Sequence, residues 1–473
     1  MAIHLDTNPD ALPQLIGDFK PVDEWQAHIS QIFYGLRGAR VHEYYQTFAS
    51  ADYRLAHALA ADYFARVCAR ATDGARGTAS PLVIHEWGCG NGNLAACFLT
   101  HLQALDPDGL VYPRVRYVLV DAHPTMLATA LAHPDLAPHR AQVETLCAEA
   151  AALTSVAAGS VDRIICNELW NELPAKLLLR KGNDVDEEYL RPNLSEKRHA
   201  DIADWSGFVR AFDEKNGAAL QHFPAFLEDI IWEKEYRKAE WKAVPYRKTI
   251  TEFLKQIDEH VLVPVNLGAC ATVHEAKRVL APDAIGFSSF DAGADELAVV
   301  NDPDKPCYGL FGGLHSFMVN FALVKSVSAY QGITTTTIEA QRAFVGRSLQ
   351  TKVVSLMDLL ASYPSPRSLQ PWEQDRLIIR TLHALKPFCH SAYRRPIEFP
   401  LRHETPAAER PALQALVNAL GPNGVPDTVA YLTEQELAGA MADLEALGYA
   451  RELVLAAQGM PVQPIDYRHF FFA

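Results

Sequence analysis

The sequence predicts an α/β protein built on a mostly parallel sheet, with a large helical insertion between strands four and five and helical additions at both ends. Two observations carry this prediction. Between residues 80 and 170, short apolar segments alternate with segments of helical periodicity, which is the pattern of parallel βαβ units. Three glycines at alternate positions, in "EWGCGNGNL", directly follow the first apolar segment. Glycine permits positive φ and close approach of a ligand, so this loop predicts a bound molecule.

The composition indicates a globular chain of more than one part. With 473 residues, 49% of them apolar and 21% charged, the chain is long enough for two or three domains. We expect a helical region over 1–79, a core over 80–400 and a helical extension over 401–473.

Charge, cysteine content and apolar runs bound the cellular setting. The formal charge of -14 argues against a nucleic-acid partner, which attracts basic surfaces. No apolar run reaches the roughly 18 to 20 residues of a membrane span, and the N-terminus resembles neither a signal nor a transit peptide. The eight scattered cysteines form no CxxC pair, which is typical of a reducing compartment. We therefore expect a cytoplasmic protein that binds neither nucleic acid nor membrane.

The units of the core follow one another in a regular order. The first predicted strand is a short apolar segment, and the third is weaker than the others. One helix starts just after the glycines, and another has proline in its first turn. The predicted strands are LVIHEW (82–87), RVRYVLVDAH (114–123), AQVETLCAEA (141–150), SVDRIICNEL (160–169) and AIGFSSFDAG (284–293). The predicted helices are LAACFLTHLQAL (94–105), PTMLATALA (124–132) and ATVHEAKRVL (271–280).

The alternation stops over residues 175–260, which are charged and aromatic with no obvious strand. An insertion of this length at the ligand-binding edge of a sheet is typical of a lid or substrate subdomain, and the alternative is a separate small helical domain. Within it, the interleaved acids of Trp232–Lys248 favour a solvated helix or a lid over a nucleic-acid face. Near the C-terminus, Thr433 and Glu436 predict a capping box, and Gly448 suits the end of that helix.

The spacing of the glycine loop discriminates among cofactors. The Walker pattern is absent, and the third glycine of the dinucleotide fingerprint would fall on Asn93. The loop instead reads Glu86-x-Gly88-x-Gly90-x-Gly92, which resembles class I S-adenosylmethionine-dependent methyltransferases and implies their Rossmann-like fold. This cofactor has no pyrophosphate, so the loop would accommodate its amino-acid moiety, and Glu86 could form an ion pair with the ammonium group of that moiety.

Two further acids follow the next strands. In parallel sheets, ligands bind at the carboxyl ends of the strands. Asp121 ends the second predicted strand, where it can accept hydrogen bonds from both ribose hydroxyls. Glu149 follows the third and could reach the adenine edge. The sequence thus predicts S-adenosylmethionine as the cofactor.

The end of the fourth strand, "ICNELWNELP", resembles the "NEhhDALP" element of the MidA family of mitochondrial and bacterial class I methyltransferases. Asn167, Glu168, Leu173 and Pro174 match that element as they stand. Weaker matches follow in order: "FDAG" at 290–293 resembles "iDYG", "FMVNFALVKSVSAYQG" at 317–332 resembles "hVnFxxLxxxaxxxG", and "IEAQRAFVGRSL" at 338–349 resembles "xxQxxFLxxlGi". The sequence departs from the family at three places, which are Asn171 for the usual Asp, Cys89 for a loop Pro, and Leu314-His315-Ser316 for "DhT".

The resemblance implies a protein arginine as the methyl acceptor, because the studied mitochondrial member methylates one. Glu168 and Glu172 are then candidates for a carboxylate clamp on the guanidinium, with Asn171 beside them as a third catalytic candidate and Asn167 as a cofactor ligand. Two alternatives stay open: a small-molecule N- or O-methyltransferase, and a non-catalytic assembly factor that keeps the fold as a binding module. No metal-binding motif is present. The sequence leaves open whether the protein forms a homodimer.

Overall fold

The computed structural model describes residues 14–38, 41, 52–72, 80–364, 369–389, 399, 401, 405–421, 431–459 and 463–473. Parts of the predicted N-terminal helical region, which are residues 1–13, 39–40, 42–51 and 73–79, and parts of the C-terminal region lie outside these described residues.

The central sheet confirms the predicted α/β class. Its main strands are β1 Leu82–Trp87, β2 Val115–Asp121, β3 Val143–Cys147, β4 Arg163–Asn167, β5 Gly286–Ala294, β6 Thr337–Ala340 and β7 Asp466–Phe472. They run in the order β3-β2-β1-β4-β5-β7-β6, and the first five are mutually parallel. β7 is antiparallel to both of its neighbours, and the short strand Val319–Asn320 pairs with β5.

Helices cover both faces of this sheet, which explains the continuous apolar strands. Alternate residues of a strand point to opposite faces. On one face, Ile84 and its neighbours pack with helices Arg54–Thr72 and Asn93–Leu105. On the other, Trp87 packs with helices Leu267–Val279 and Phe321–Tyr330. The carboxyl edge of β1–β4 is left between these two layers.

The prediction of a helical insertion at 175–260 is wrong for much of its length. A second, antiparallel sheet forms there and also takes strands from the N-terminus and from the segment after the insertion. Its strands are Gln14–Leu15, Lys20–Pro21, Lys176–Lys181, Asp184–Leu194, Ile231–Lys238 and Leu262–Val265. Helices Glu196–Ala200, Trp205–Asp213, Gly217–Leu220 and Arg247–Leu254 complete the region.

The charged segment Trp232–Lys248 begins as a strand because its charges find partners across the sheet. Glu233 lies directly opposite Arg191 and forms an ion pair with it at 2.6 Å. Tyr236 lies opposite Glu188, and its hydroxyl donates to that buried carboxylate at 2.9 Å. Such cross-strand pairs stabilise an antiparallel sheet. Both faces of Ile231–Lys238 carry charges, so the apolar alternation that marks a half-buried strand is missing.

The described part of the C-terminal region is helical except for the short strand Tyr431–Thr433 and the final segment. The capping box of Glu434–Ala446 is present, with the Thr433 amide donating to Glu436 Oε2 at 2.8 Å, and Gly448 follows with a φ of 102°. The final segment, however, is β7, which lies inside the central sheet. The expected helical extension over 401–473 is therefore wrong at residues 466–472, because this strand pairs with residues distant in sequence and no local pattern marks it.

The remaining described elements lie outside the two large sheets. They are the α-helices Val22–Arg37, Pro124–Leu131, Leu297–Val300, Gln341–Ser348, Leu356–Ala361, Pro371–Leu385, Arg410–Leu420 and Arg451–Ala457, the strands Tyr308–Phe311, Leu314–Phe317, Val353–Ser355 and Tyr431–Thr433, and the 3-10 helices Tyr112–Arg114, Pro134–Gln142, Trp170–Glu172, Leu227–Asp229 and Trp241–Ala243. Among the described residues, every helix is too short or too polar to cross a membrane.

Candidate active site

A cavity of about 510 Å³ lies at the carboxyl edge of β1–β4, where the sequence placed the ligand. This volume falls within the range of pockets that hold small molecules, roughly 300 to 1,000 Å³. Most of the predicted site residues line it: Glu86, Gly88, Gly90, Asp121, Glu149, Asn167, Glu168 and Glu172. Gly92 and Asn171 are not among the lining residues.

The three glycines of the loop have different tasks, although each has a positive φ, of 74°, 52° and 81° in order. The amide of Gly88 donates to the Val120 carbonyl at 2.8 Å and so ties the loop to β2. A Cβ on Gly92 would lie 2.7 Å from the Ala130 carbonyl oxygen, so this glycine permits close packing on helix Pro124–Leu131. A Cβ on Gly90 would meet nothing within 4 Å and would project into open space. Of the three, Gly90 is the glycine whose missing side chain leaves space in the cavity.

Two acids stand at the ends of the neighbouring strands. Glu86 is only 3% exposed, and the Tyr117 hydroxyl donates to its Oε2 at 2.8 Å. Burial raises the pKa of Glu86 to about 8, which the Tyr117 hydrogen bond partly offsets. Burial also raises the pKa of Asp121, whose Oδ1 accepts the His123 amide at 2.9 Å. Glu149 is exposed at the rim. Buried carboxyl groups such as those of Glu86 and Asp121 favour a cationic ligand, because the ligand's positive charge stabilises the ionised carboxylate.

The segment after β4 turns sharply at Glu168, whose φ of 47° is uncommon for a residue other than glycine. Its amide donates to the Phe290 carbonyl at 2.7 Å, which holds the turn against β5. The side chain is 7% exposed and lines the cavity, and the Tyr467 hydroxyl of β7 lies 3.4 Å from its Oε2. Backbone strain of this type is concentrated at functional sites. The turn thus directs a carboxylate into the cavity.

Asp291 supports this turn from behind. It is fully buried and accepts the Asn171 amide at 3.1 Å. Burial raises the pKa of Asp291 well above its ordinary range, and the neighbouring Glu168 charge raises it further. Asn171 itself is 4% exposed, and its side-chain amide donates to Ser316 Oγ at 3.1 Å. The structure therefore places Asn171 behind the cavity wall, where it orders the segment, and not at the wall as a catalytic group.

The wall that faces the glycine loop is the N-terminal helix, Val22–Arg37, and not the insertion. No residue of 175–260 is among the described residues that line the cavity, so the prediction of a lid over this site is wrong for the insertion. The sequence predicts helices in this region but places none of them at the cavity, although a polar stripe marks the helix that lies there. Gln26, Ser30 and Tyr34 follow one another at intervals of four, so they share one helical face, and all three line the cavity.

The residues present suit S-adenosylmethionine. Glu86, whose pKa burial raises to about 8, can pair with the cofactor ammonium group. Asp121 ends β2, where the ribose hydroxyls are expected, and Gly90 leaves space for the ligand. Asn167 Oδ1 is buried without a partner among the described atoms and can accept a hydrogen bond from a ligand. No group of three or more potential metal ligands occurs within the described part of the chain.

Comparison with known proteins gives one family match and several similar solved structures. Residues 62–280 match a family described as "Putative S-adenosyl-L-methionine-dependent methyltransferase". No curated protein matches the chain. An uncharacterized protein from Burkholderia thailandensis shares 15% identity over 70% of this chain and 76% of its own, with a TM-score of 0.44. A second structure from that organism, bound to S-adenosyl-homocysteine, shares 15% identity over 76% of this chain and 80% of its own, with a TM-score of 0.43. The phosphoethanolamine N-methyltransferase 2 of Haemonchus contortus shares 10% identity over 88% of this chain and 56% of its own, with a TM-score of 0.29.

The fold, the cavity and the family match define an S-adenosylmethionine-dependent methyltransferase, with S-adenosylmethionine as its cofactor. The match confirms the resemblance predicted from the sequence. The alternative of a non-catalytic binding module is not retained.

Proposed function

We propose that this enzyme transfers a methyl group to a guanidinium nitrogen of a protein arginine. The observation that carries the proposal is the placement of Glu168 and Glu172, which both line the cavity on the segment that follows β4. A guanidinium presents a planar fork of donors, and carboxylates bind it bidentately. Two carboxylates at one wall can therefore hold a charged arginine side chain in a fixed orientation.

The bound cofactor supplies a sulfonium methyl group for an in-line displacement, so the protein contributes mainly proximity and orientation. Glu168 is buried, and a charge in such a site orients a cation more strongly than it would in water. Its carboxylate can also accept the proton that the acceptor nitrogen releases. Glu172 is held by the Tyr34 hydroxyl, which donates to Oε2 at 2.7 Å. The protein's formal charge of -14 favours approach of a cationic substrate.

A small-molecule acceptor is the competing candidate, and one experiment separates the two. The protein is incubated with methyl-deuterated S-adenosylmethionine and an extract from cells that lack it. Proteins and small molecules are then separated, and both fractions are analysed by mass spectrometry. We expect label on arginine residues of one or a few proteins. Label confined to the small-molecule fraction, or to protein lysines, would contradict the arginine proposal and leave the cofactor assignment intact. The Gly90→Val variant is the control, because its cofactor binding is expected to be strongly weakened.

A further inference from the structure

We propose that Tyr34 is a positioning residue that joins the cofactor side of the cavity to the acceptor side, and that the N-terminal helix closes the cavity over the cofactor. This helix lies outside the family match, which begins at residue 62. The inference rests on the cofactor site and does not depend on arginine as the acceptor.

Tyr34 contacts both sides of the cavity. Its hydroxyl donates to Glu172 Oε2 at 2.7 Å, on the segment after β4. Its ring stacks on the His123 imidazole, with centroids 4.5 Å apart and planes inclined by 21°. His123 lies two residues after Asp121, and its amide is held by that carboxylate. A single side chain therefore bridges the loop after β2 and the segment after β4, which carry the predicted ribose ligand and the predicted acceptor clamp.

The helix is fixed against the acceptor segment by a buried carboxamide. Gln26 is 1% exposed, and its Nε2 donates to the carbonyls of Glu172 and Leu173 at 2.7 and 2.8 Å. Its Oε1 accepts the Ala175 amide at 3.2 Å. These three hydrogen bonds pair the polar groups of one buried side chain with backbone that has left β4. Movement of the helix would thus move the backbone of the proposed clamp.

The insertion supports the same helix from the other side. Trp25 Nε1 donates to the Leu190 carbonyl at 2.8 Å. Lys176 forms ion pairs with Asp23 at 3.0 Å and with Glu187 at 2.6 Å. The insertion, which does not reach the cavity in the described residues, therefore acts on the site through the helix that it holds in place.

The helix is tested first by hydrogen exchange. In the wild-type protein, saturating S-adenosylhomocysteine is expected to slow amide exchange in Val22–Arg37. Unchanged exchange in that helix would overturn the closure. This measurement needs no variant and no acceptor.

Two substitutions then separate the functions of Tyr34. Tyr34→Ala removes the ring and is expected to weaken S-adenosylhomocysteine binding, measured by calorimetry, by about tenfold or more. Tyr34→Phe keeps the stack on His123, so affinity should stay within about twofold, while label transfer falls about tenfold or more in whichever fraction accepts it. Tyr330→Ala is the matched control, since Tyr330 is 67% exposed and is not among the residues that line the cavity.

The outcomes are distinct. Wild-type cofactor affinity in Tyr34→Ala would overturn the claim that the Tyr34 ring supports the cofactor side of the cavity. Wild-type transfer by Tyr34→Phe would overturn it on the acceptor side. Label in small molecules instead of proteins would contradict the proposed acceptor and leave these two tests valid.

Discussion

The buried acid of the glycine loop makes a sharp prediction about pH. Glu86 is 3% exposed, and burial raises its pKa from 4.5 to about 8. The folded protein therefore holds a proton on this group at pH values where the unfolded chain has released it. Below about pH 4.5 both states are protonated and folding carries no penalty from Glu86. As the pH rises towards 8, stability falls, and above 8 the loss is complete.

The difference between 4.5 and about 8, at about 1.4 kcal/mol for each pH unit, corresponds to about 5 kcal/mol at most. Glu86→Gln removes this loss because the carboxamide stays neutral and can still accept the Tyr117 hydroxyl. We expect equal stability of the two proteins near pH 4.5 and a growing advantage of Glu86→Gln towards pH 9. The effects of other titrating groups largely cancel when the two proteins are compared at each pH.

The assay is the urea unfolding midpoint of both proteins across this range, with S-adenosylhomocysteine titrations alongside. If Glu86 pairs with the ligand ammonium, wild-type affinity should rise by up to about tenfold per pH unit between about pH 5.5 and 7.5, because only the ionised carboxylate binds well. Affinity of Glu86→Gln should be weak and nearly independent of pH. Parallel pH profiles for the two proteins, in stability and in affinity, would refute this reasoning.

Three further substitutions test the loop and its neighbours. Gly90→Val should lower S-adenosylhomocysteine affinity about a hundredfold by filling the cavity, whereas Gly182→Val, with a similar φ of 59° and equally open space, carries the same backbone strain and should bind normally. Gly92→Ala should lower the free energy of unfolding by about 1 to 3 kcal/mol in urea titrations, because its Cβ would lie 2.7 Å from the Ala130 oxygen. Asp121→Asn should weaken cofactor binding in calorimetry while leaving the unfolding midpoint nearly unchanged; wild-type affinity would exclude Asp121 as a ligand.

The parts of the fold that the sequence predicts well are those with local signals. β1 begins and ends where predicted, because an apolar segment meets glycines that need positive φ. The helix at Glu434–Ala446 is predicted with its cap, since the capping box lies within four residues. Of the site, the acids at the strand ends follow from the topology of a parallel sheet, which brings carboxyl ends to one edge.

The parts that it misses depend on distant pairing. β7 pairs with β5, more than 170 residues earlier in the chain, and Ile231–Lys238 becomes a strand only against Asp184–Leu194. The wall formed by Val22–Arg37 was missed because an amphipathic helix does not reveal which surface its polar stripe will face. Gly92 and Asn171 stand at motif positions, but Gly92 packs against Ala130 and the Asn171 side chain donates to Ser316, so neither lines the cavity.

The role of Glu168 is the centre of this account, and single-turnover transfer with the Glu168→Gln variant tests it most directly. The carboxamide is nearly isosteric but can neither balance a guanidinium charge nor accept a proton. The assay combines labelled S-adenosylmethionine with the unlabelled fraction that contains the methyl acceptor. We expect the variant's transfer rate to fall by about a hundredfold or more, while its S-adenosylhomocysteine affinity stays within about twofold of wild type. Transfer at the wild-type rate would contradict the account and reduce Glu168 to a structural residue of the turn after β4.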